Sequence, residues 1–204
     1  MSIVYHYAPL SSAVRTTWAI EELGLDCERR LVDLRQKATR HPDFLRKNPN
    51  GKVPVLEVDG VPIFESTAIL LYLAETYGVD AGLYPPPGLA RAQAMQWMIW
   101  AQVTLAEAVM RFGRNVSPLI PAEQHNAAAA AAARQDVDVA LGILDAALAD
   151  REYLLGKSFS FADLATAGFF GWIEFMQLEY VQWPRVRDWA QRCRSRPAQL
   201  RSAA

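Results

Sequence analysis

The sequence has little of what would tie the protein to metals, membranes or nucleic acids. Its 204 residues include only two cysteines, Cys27 and Cys193, in no metal-binding or redox spacing, so we expect neither a disulfide nor a metal site. A formal net charge of -1 gives no reason to expect nucleic acid or an anionic membrane as a partner. Residues 1–7 do not resemble a signal peptide, and no run approaches the roughly 20 apolar residues of a membrane span. These absences predict a cytoplasmic protein.

The first 80 residues alternate between strand and helix signals. Helical spacing of apolar residues runs from Ser12 to Leu23, with Gly24 as the C-terminal cap, and a second helix begins at Ser66 and ends at Gly78. The short β-branched or alternating runs predict four strands, of which the last two are joined by an Asp-Gly turn: Ile3–Tyr7, Arg30–Leu34, Val53–Val58 and Val61–Phe64. The order βαβαββα, with a crossover and then a hairpin, predicts a mixed four-stranded sheet in the thioredoxin-like arrangement.

The chain changes character after three consecutive prolines at 85–87. We predict a thioredoxin-like domain at residues 1–80, a linker at 81–88 and an all-helical domain at 89–204. Long helices are predicted from Leu89 to about Asn115 and from Pro121 to about Asp150. Ser160 and Asp163 predict the capped start of another helix, and Pro184 opens one more.

Two short motifs are the most informative part of the chain. Asn48-Pro49-x-Gly51-Lys52-Val53-Pro54 places a proline at the start of an apolar strand, and Glu65-Ser66 places an acid and a hydroxyl at a strand-to-helix junction. Together with the linker and the helical domain, they resemble the cytosolic glutathione transferases, in particular serine-type or beta/theta-like bacterial members. The resemblance covers essentially the whole chain and implies a cis bond between Val53 and Pro54.

The resemblance also implies a binding site for glutathione as co-substrate. The Val53 backbone beside Pro54 is expected to pair with the cysteinyl backbone, as an added strand would. Ser66 suits the γ-glutamyl carboxylate at a helix N-terminus, and Glu65 suits the α-ammonium. Lys52 is expected at the glycyl carboxylate, where Lys37 assists it.

The residue that activates the sulfur is expected after the first strand, where family members carry tyrosine, serine or cysteine. No cysteine is present there, and a serine hydroxyl would donate a hydrogen bond to the thiolate. The spacing to Arg15 favours Ser11, whereas a gapless match to beta-class members favours Ser12. Of the two we expect Ser11 to act on the sulfur and Ser12 to cap the helix. Tyr7 is a third candidate. Its position in a strand is explained more simply if its ring packs on a neighbouring side chain.

The function that follows from the resemblance is a glutathione S-transferase active in detoxification, which joins the glutathione thiolate to a hydrophobic electrophile. The helical domain is expected to carry part of the site for that electrophile, and the family implies a homodimer. Two alternatives remain at this point. One is a glutathione-dependent peroxidase, isomerase or reductase, and the other is a non-catalytic binding protein of the same fold.

Overall fold

The computed structural model describes residues 2–203. These residues form two compact units, one containing the chain up to Tyr84 together with the residues from Arg196 onward, the other containing Pro85–Ser195. Within the described range no helix has the length and apolar character needed to cross a membrane.

The first unit is built on a four-stranded sheet. Its strands are β1 (Ile3–Tyr7), β2 (Glu28–Leu31), β3 (Val55–Val58) and β4 (Val61–Phe64). The sheet order is β2-β1-β3-β4, with β1 parallel to β2 and both remaining pairs antiparallel. Asp59 and Gly60 both have positive φ, as a two-residue hairpin turn requires. The predicted mixed sheet and thioredoxin-like arrangement are confirmed.

Strand β2 begins before the predicted Arg30–Leu34, so that prediction was wrong in its bounds. The parallel register with β1 runs from Glu28 to Leu31, and the side chains of this edge strand are all exposed. An edge strand exposed on both faces has no apolar alternation, so the sequence pattern could not position it. The strand ends because the Asp33 carboxylate accepts hydrogen bonds from the backbone N–H groups of Arg35 and Gln36, which turns the chain.

Helices of this unit cover the sheet and bring the chain to the motif residues. They are α1 (Ala13–Leu23), α2 (Pro42–Leu45) and α3 (Ser66–Leu73), the last extended by a π-helical turn at Ala74–Gly78. Gly24 ends α1 with a φ of 59°, as predicted. The Tyr5 hydroxyl donates to the carbonyl of Ala13 at 2.8 Å, which fixes the start of α1 on the sheet.

The last helix, α10 (Pro197–Ala203), returns to the first unit and packs on α1. The Arg196 guanidinium pairs with both carboxylate oxygens of Glu22, at 2.7 and 2.8 Å. The boundaries drawn from the sequence assign these residues to the helical domain instead, because a local pattern carries no sign of a partner far away in the chain.

The second unit is helical. Helix α4 (Leu89–Trp100) continues through a π-helical turn at Ala101–Leu105 into α5 (Ala106–Arg114). The remaining helices are α6 (Ala127–Ala147), α7 (Phe161–Ala167), α8 (Phe170–Phe175) and α9 (Pro184–Arg194). Helix α6 starts later than the predicted Pro121 because the Asn126 side chain caps it, accepting from the N–H of Ala129 at 3.0 Å.

Candidate functional site

The residues between β1 and α1 contain the two candidate serines, and the structure gives them different surroundings. The Ser11 hydroxyl donates to the Ala8 carbonyl at 2.7 Å and accepts from the Ala13 N–H at 3.1 Å. The proton and one acceptor lone pair of this hydroxyl are therefore used within its own turn, immediately before α1.

Ser12 faces a different part of the molecule. It occupies the N-cap position of α1, but its side chain makes no capping hydrogen bond there. Its hydroxyl donates instead to the Val53 carbonyl at 3.2 Å, across a long separation in sequence. The peptide bond from Val53 to Pro54 is cis. The start of α1 and the Val-Pro motif thus meet at one hydrogen bond.

The Glu65-Ser66 pair lies at the start of α3, as the strand-to-helix junction predicted. Glu65 takes the N-cap position and Ser66 is the first helical residue, so the expectation from the sequence that Ser66 itself would cap this helix was wrong. Glu65 is exposed and has a φ of 70°, a conformation that costs free energy in a residue other than glycine. Such strain is typical of binding sites, where the surrounding structure holds a residue in a required orientation.

Arg15 contacts the candidate residue Ser66, although its only use in the sequence was as a spacing landmark for Ser11. It lies on α1 with 2% of its surface exposed, and its Nη2 donates to the Ser66 hydroxyl at 2.8 Å. Burial lowers the pKa of Arg15 to about 10, so the side chain stays charged at neutral pH. Because the Ser66 oxygen accepts from Arg15, its own proton remains for an acceptor such as a carboxylate. The signal in the sequence was a charged residue on the buried face of an amphipathic helix.

The two candidate lysines differ in how they are held. Lys52 is exposed, and its backbone carbonyl accepts from the Asn48 side chain at 2.6 Å. Lys37 is also exposed, with a φ of 55°, and precedes a short 3₁₀ turn at Ala38–Arg40. Among residues 2–203 the Lys37 ammonium makes no hydrogen bond or ion pair, so the structure does not join it to the other candidates.

The third catalytic candidate, Tyr7, belongs to the sheet. Its ring stacks on that of Tyr5 with centroids 5.4 Å apart and planes 8° from parallel. Tyr5 is itself fully buried beneath α1. This packing accounts for an aromatic residue at position 7 without a catalytic role.

Comparison with known proteins identifies the family. The family description "Glutathione S-transferase, N-terminal domain" matches residues 2–75, and "Glutathione S-transferase, C-terminal domain" matches residues 108–197. The chain therefore belongs to the glutathione S-transferase family, whose fold its two units have.

Individual relatives extend over most of the chain. The glutathione S-transferase GstB of Escherichia coli K12 is 34% identical over 185 residues, covering 88% of this chain and 86% of the relative. The disulfide-bond oxidoreductase YfcG of the same strain is 30% identical, covering 95% and 90%. Among solved structures, the theta-class glutathione S-transferase of Xanthomonas axonopodis pv. citri, with glutathione bound, is 33% identical. Its TM-score is 0.87, with coverage of 99% of this chain and 97% of that one.

Proposed function

We propose that this protein conjugates glutathione to hydrophobic electrophiles, with a serine hydroxyl stabilising the glutathione thiolate. The observation that carries the proposal is the hydrogen bond from Ser12 to the Val53 carbonyl at 3.2 Å. It puts a hydroxyl beside the backbone group at which family resemblance locates the cysteine of glutathione. The relative from Xanthomonas, which holds glutathione, supports the same ligand for this chain.

Each end of the tripeptide has a chemically suitable partner. The Val53 backbone would pair with the cysteinyl residue as an added strand does. The Ser66 hydroxyl, oriented by the buried Arg15, would donate to the γ-glutamyl carboxylate, and the exposed Glu65 carboxylate would accept from the α-ammonium. Lys52 would pair with the glycyl carboxylate, with Lys37 as a weaker, solvated contributor.

The hydrogen bonds of the two serines favour Ser12 for thiol activation, which reverses the preference for Ser11 drawn from the sequence. The Ser11 proton is donated to the Ala8 carbonyl at 2.7 Å, whereas the longer bond from Ser12 to Val53 is easily exchanged for a thiolate. Lowering a thiol pKa from about 8.5 to about 6.5 requires ~2.7 kcal/mol. One hydrogen bond to the charged sulfur, with the N-terminus of α1 nearby, supplies an effect of that size.

The chemistry with an aryl halide is a substitution. The glutathione thiolate forms a bond from sulfur to the ring carbon, the bond from carbon to chlorine breaks, and chloride leaves with the electron pair. The protein's contribution is to keep the sulfur deprotonated and oriented, since the thiolate is the nucleophile.

Paired serine variants test the proposal. Ser12→Ala is expected to lower kcat/KM for glutathione and 1-chloro-2,4-dinitrobenzene about a hundredfold, and to move the pH midpoint of the reaction toward that of free thiol, because the ~2.7 kcal/mol is lost. Ser11→Ala should stay within a few-fold of wild type, as loss of a hydrogen bond within a turn acts mainly on stability. A larger loss of kcat/KM in Ser11→Ala than in Ser12→Ala would assign the role to Ser11. If both variants keep the wild-type kcat/KM, Tyr7 is the remaining candidate.

A wild-type protein that neither binds glutathione-agarose nor shows calorimetric binding of glutathione would overturn the function itself.

Thiol–disulfide exchange is a second candidate, supported by the similarity to YfcG. Such a reaction needs the same activated thiolate, which attacks a disulfide sulfur and expels the other sulfur as a thiolate. A wild-type protein that reduces a small disulfide with glutathione, but does not conjugate the aryl halide, would favour this alternative.

A further inference from the structure

A buried charged cluster lies on the sheet of the first unit, outside the residues assigned to glutathione so far. Glu57 on β3 is 8% exposed, and its two carboxylate oxygens have separate partners. One lies 2.5 Å from the Nε2 of His6 on β1, and the other 2.5 Å from the Nζ of Lys47. Burial by itself would raise the pKa of Glu57, but the hydrogen bonds from Lys47 and His6 outweigh it and lower the pKa. The carboxylate is therefore charged at neutral pH and acts as the acceptor in both contacts.

This cluster fastens the end of α2 to the sheet. Lys47 follows α2 closely, and the ring of Phe44 in α2 meets the His6 ring edge-on, with centroids 6.1 Å apart. A buried carboxylate has to be paired, because an isolated one is costly. The Lys47 side chain consequently links the residues that follow α2 to β3.

Asn48, the next residue, closes the loop that leads to the Val-Pro motif. It is 2% exposed, its Nδ2 donates to the Lys52 carbonyl at 2.6 Å, and its Oδ1 accepts from the Asn50 N–H at 3.0 Å. The Gly51 N–H donates to the Asn48 carbonyl at 2.9 Å. These bonds connect the backbone of Lys52 to Asn48, which follows Lys47 of the charged cluster directly in sequence.

Gly51 is part of the same closure. Its φ of 59° is a conformation that side chains disfavour, and a Cβ there would lie 2.9 Å from the Arg40 guanidinium and 3.0 Å from the Thr39 carbonyl. A side chain at position 51 would therefore clash, and the hydrogen bonds of Asn48 close the turn from Asn48 to Lys52.

We propose that Lys47, Glu57 and His6, together with Asn48, are positioning residues that fix Lys52 at the glycyl end of glutathione and so set selectivity for glutathione over γ-glutamylcysteine. The proposal rests on the proposed function, since it assumes that Lys52 pairs with the glycyl carboxylate. An exposed lysine contributes to binding only when its backbone is held, because ordering a free loop and a long side chain costs entropy. γ-Glutamylcysteine has no glycyl carboxylate, so its binding gains nothing from a fixed Lys52.

The variant Lys47→Met tests the proposal, since it keeps the apolar stem and removes the ammonium. We expect the KM for glutathione to rise about fivefold, the effect of losing one exposed ion pair, with kcat unchanged. The KM for γ-glutamylcysteine should stay at the wild-type value. Lys52→Ala should reproduce this pattern, and the double variant should show no further loss, because both changes act on one contact.

Two further variants complete the design. Arg46→Met removes an exposed cation from the neighbouring position, where it pairs with Asp43, and should leave both KM values unchanged. Asn48→Asp keeps the acceptor for Asn50 and removes the donor to Lys52, so it should repeat the selective loss for glutathione. Equal KM increases for both peptides, or full additivity of Lys47→Met with Lys52→Ala, would overturn the proposal. Failure of the wild-type protein to bind glutathione would instead overturn the proposed function.

Discussion

At the scale of single residues, Arg15 has the most informative environment. Arg15 has 2% of its surface exposed, so its guanidinium loses hydration, and this burial lowers its pKa to about 10. The charged side chain nevertheless contacts Ser66, because its Nη2 donates to the Ser66 hydroxyl at 2.8 Å. A buried cation at the start of α1 would attract the γ-glutamyl carboxylate through a medium of low dielectric, where charges act more strongly than in water.

We expect Arg15→Met to raise the KM for glutathione tenfold or more. A hydrogen bond to a charged group is worth about 1.5–3 kcal/mol, and the Ser66 hydroxyl would also lose the donor that orients it. Calorimetry with glutathione, read beside thermal unfolding, measures the effect. The matched control is Arg30→Met, which removes an exposed partner of Glu28 and should leave binding unchanged. Wild-type affinity in a folded Arg15→Met protein would contradict this role.

At the scale of elements, two helix caps of the second unit differ in their surroundings. Asp163 in α7 is fully buried, and its carboxylate accepts from the Leu154 N–H, the Ser160 N–H and hydroxyl, and the Trp189 indole, at 2.7–3.0 Å. The Asn126 cap of α6 is exposed, and its side chain accepts from the Ala129 N–H at 3.0 Å. The sequence pattern identified Ser160 and Asp163 as a cap, but the connection to α9 through Trp189 is tertiary.

We expect Asp163→Ala to lower the free energy of unfolding by at least about 3 kcal/mol, because several buried donors lose their acceptor together. Asn126→Ala should cost only about 1 kcal/mol, the usual value of an exposed cap. Urea denaturation of both variants gives the comparison. Similar losses in the two variants would mean that the Asp163 hydrogen bonds act as an isolated cap and not as a connection between helices.

At the scale of the whole molecule, the last residues of the chain complete the unit formed by the first ones. Helix α10 packs on α1, and Arg196 pairs with Glu22, whose side chain is 5% exposed and also accepts from the Trp18 indole at 2.9 Å. Helix α1 also carries Arg15 and follows Ser12, so its support bears on the candidate site. This contact closes a loop of nearly the entire chain and is made only after both ends exist.

We expect deletion of residues 196–204 to destabilise the first unit by about 3 kcal/mol, since it removes the partner of a buried carboxylate. Amide exchange should quicken in α1, while the amides of α6 in the second unit keep wild-type rates. The control is Arg187→Ala, which breaks only an exposed pair with Asp188. Unchanged exchange in α1 would show that α10 is not needed for its stability.

Much of the fold follows from local patterns. The bounds of β1 and β4, the Asp59-Gly60 turn and the end of α1 at Gly24 agree with the sequence because each depends on short-range geometry. The motif residues were likewise predicted from residue type and spacing. The start of β2 and the position of α10 were not, because pairing with β1 and packing on α1 decide them.

The sequence by itself determined the family, the mixed sheet, the helical second part and the residue types available for a charged tripeptide. Those features reside in short motifs and periodic patterns, which need no distant partner. Only the tertiary structure separated Ser11, held in its own turn, from Ser12, which reaches Val53. It alone placed Arg15 behind Ser66, because a contact between α1 and α3 depends on how both helices pack on the sheet.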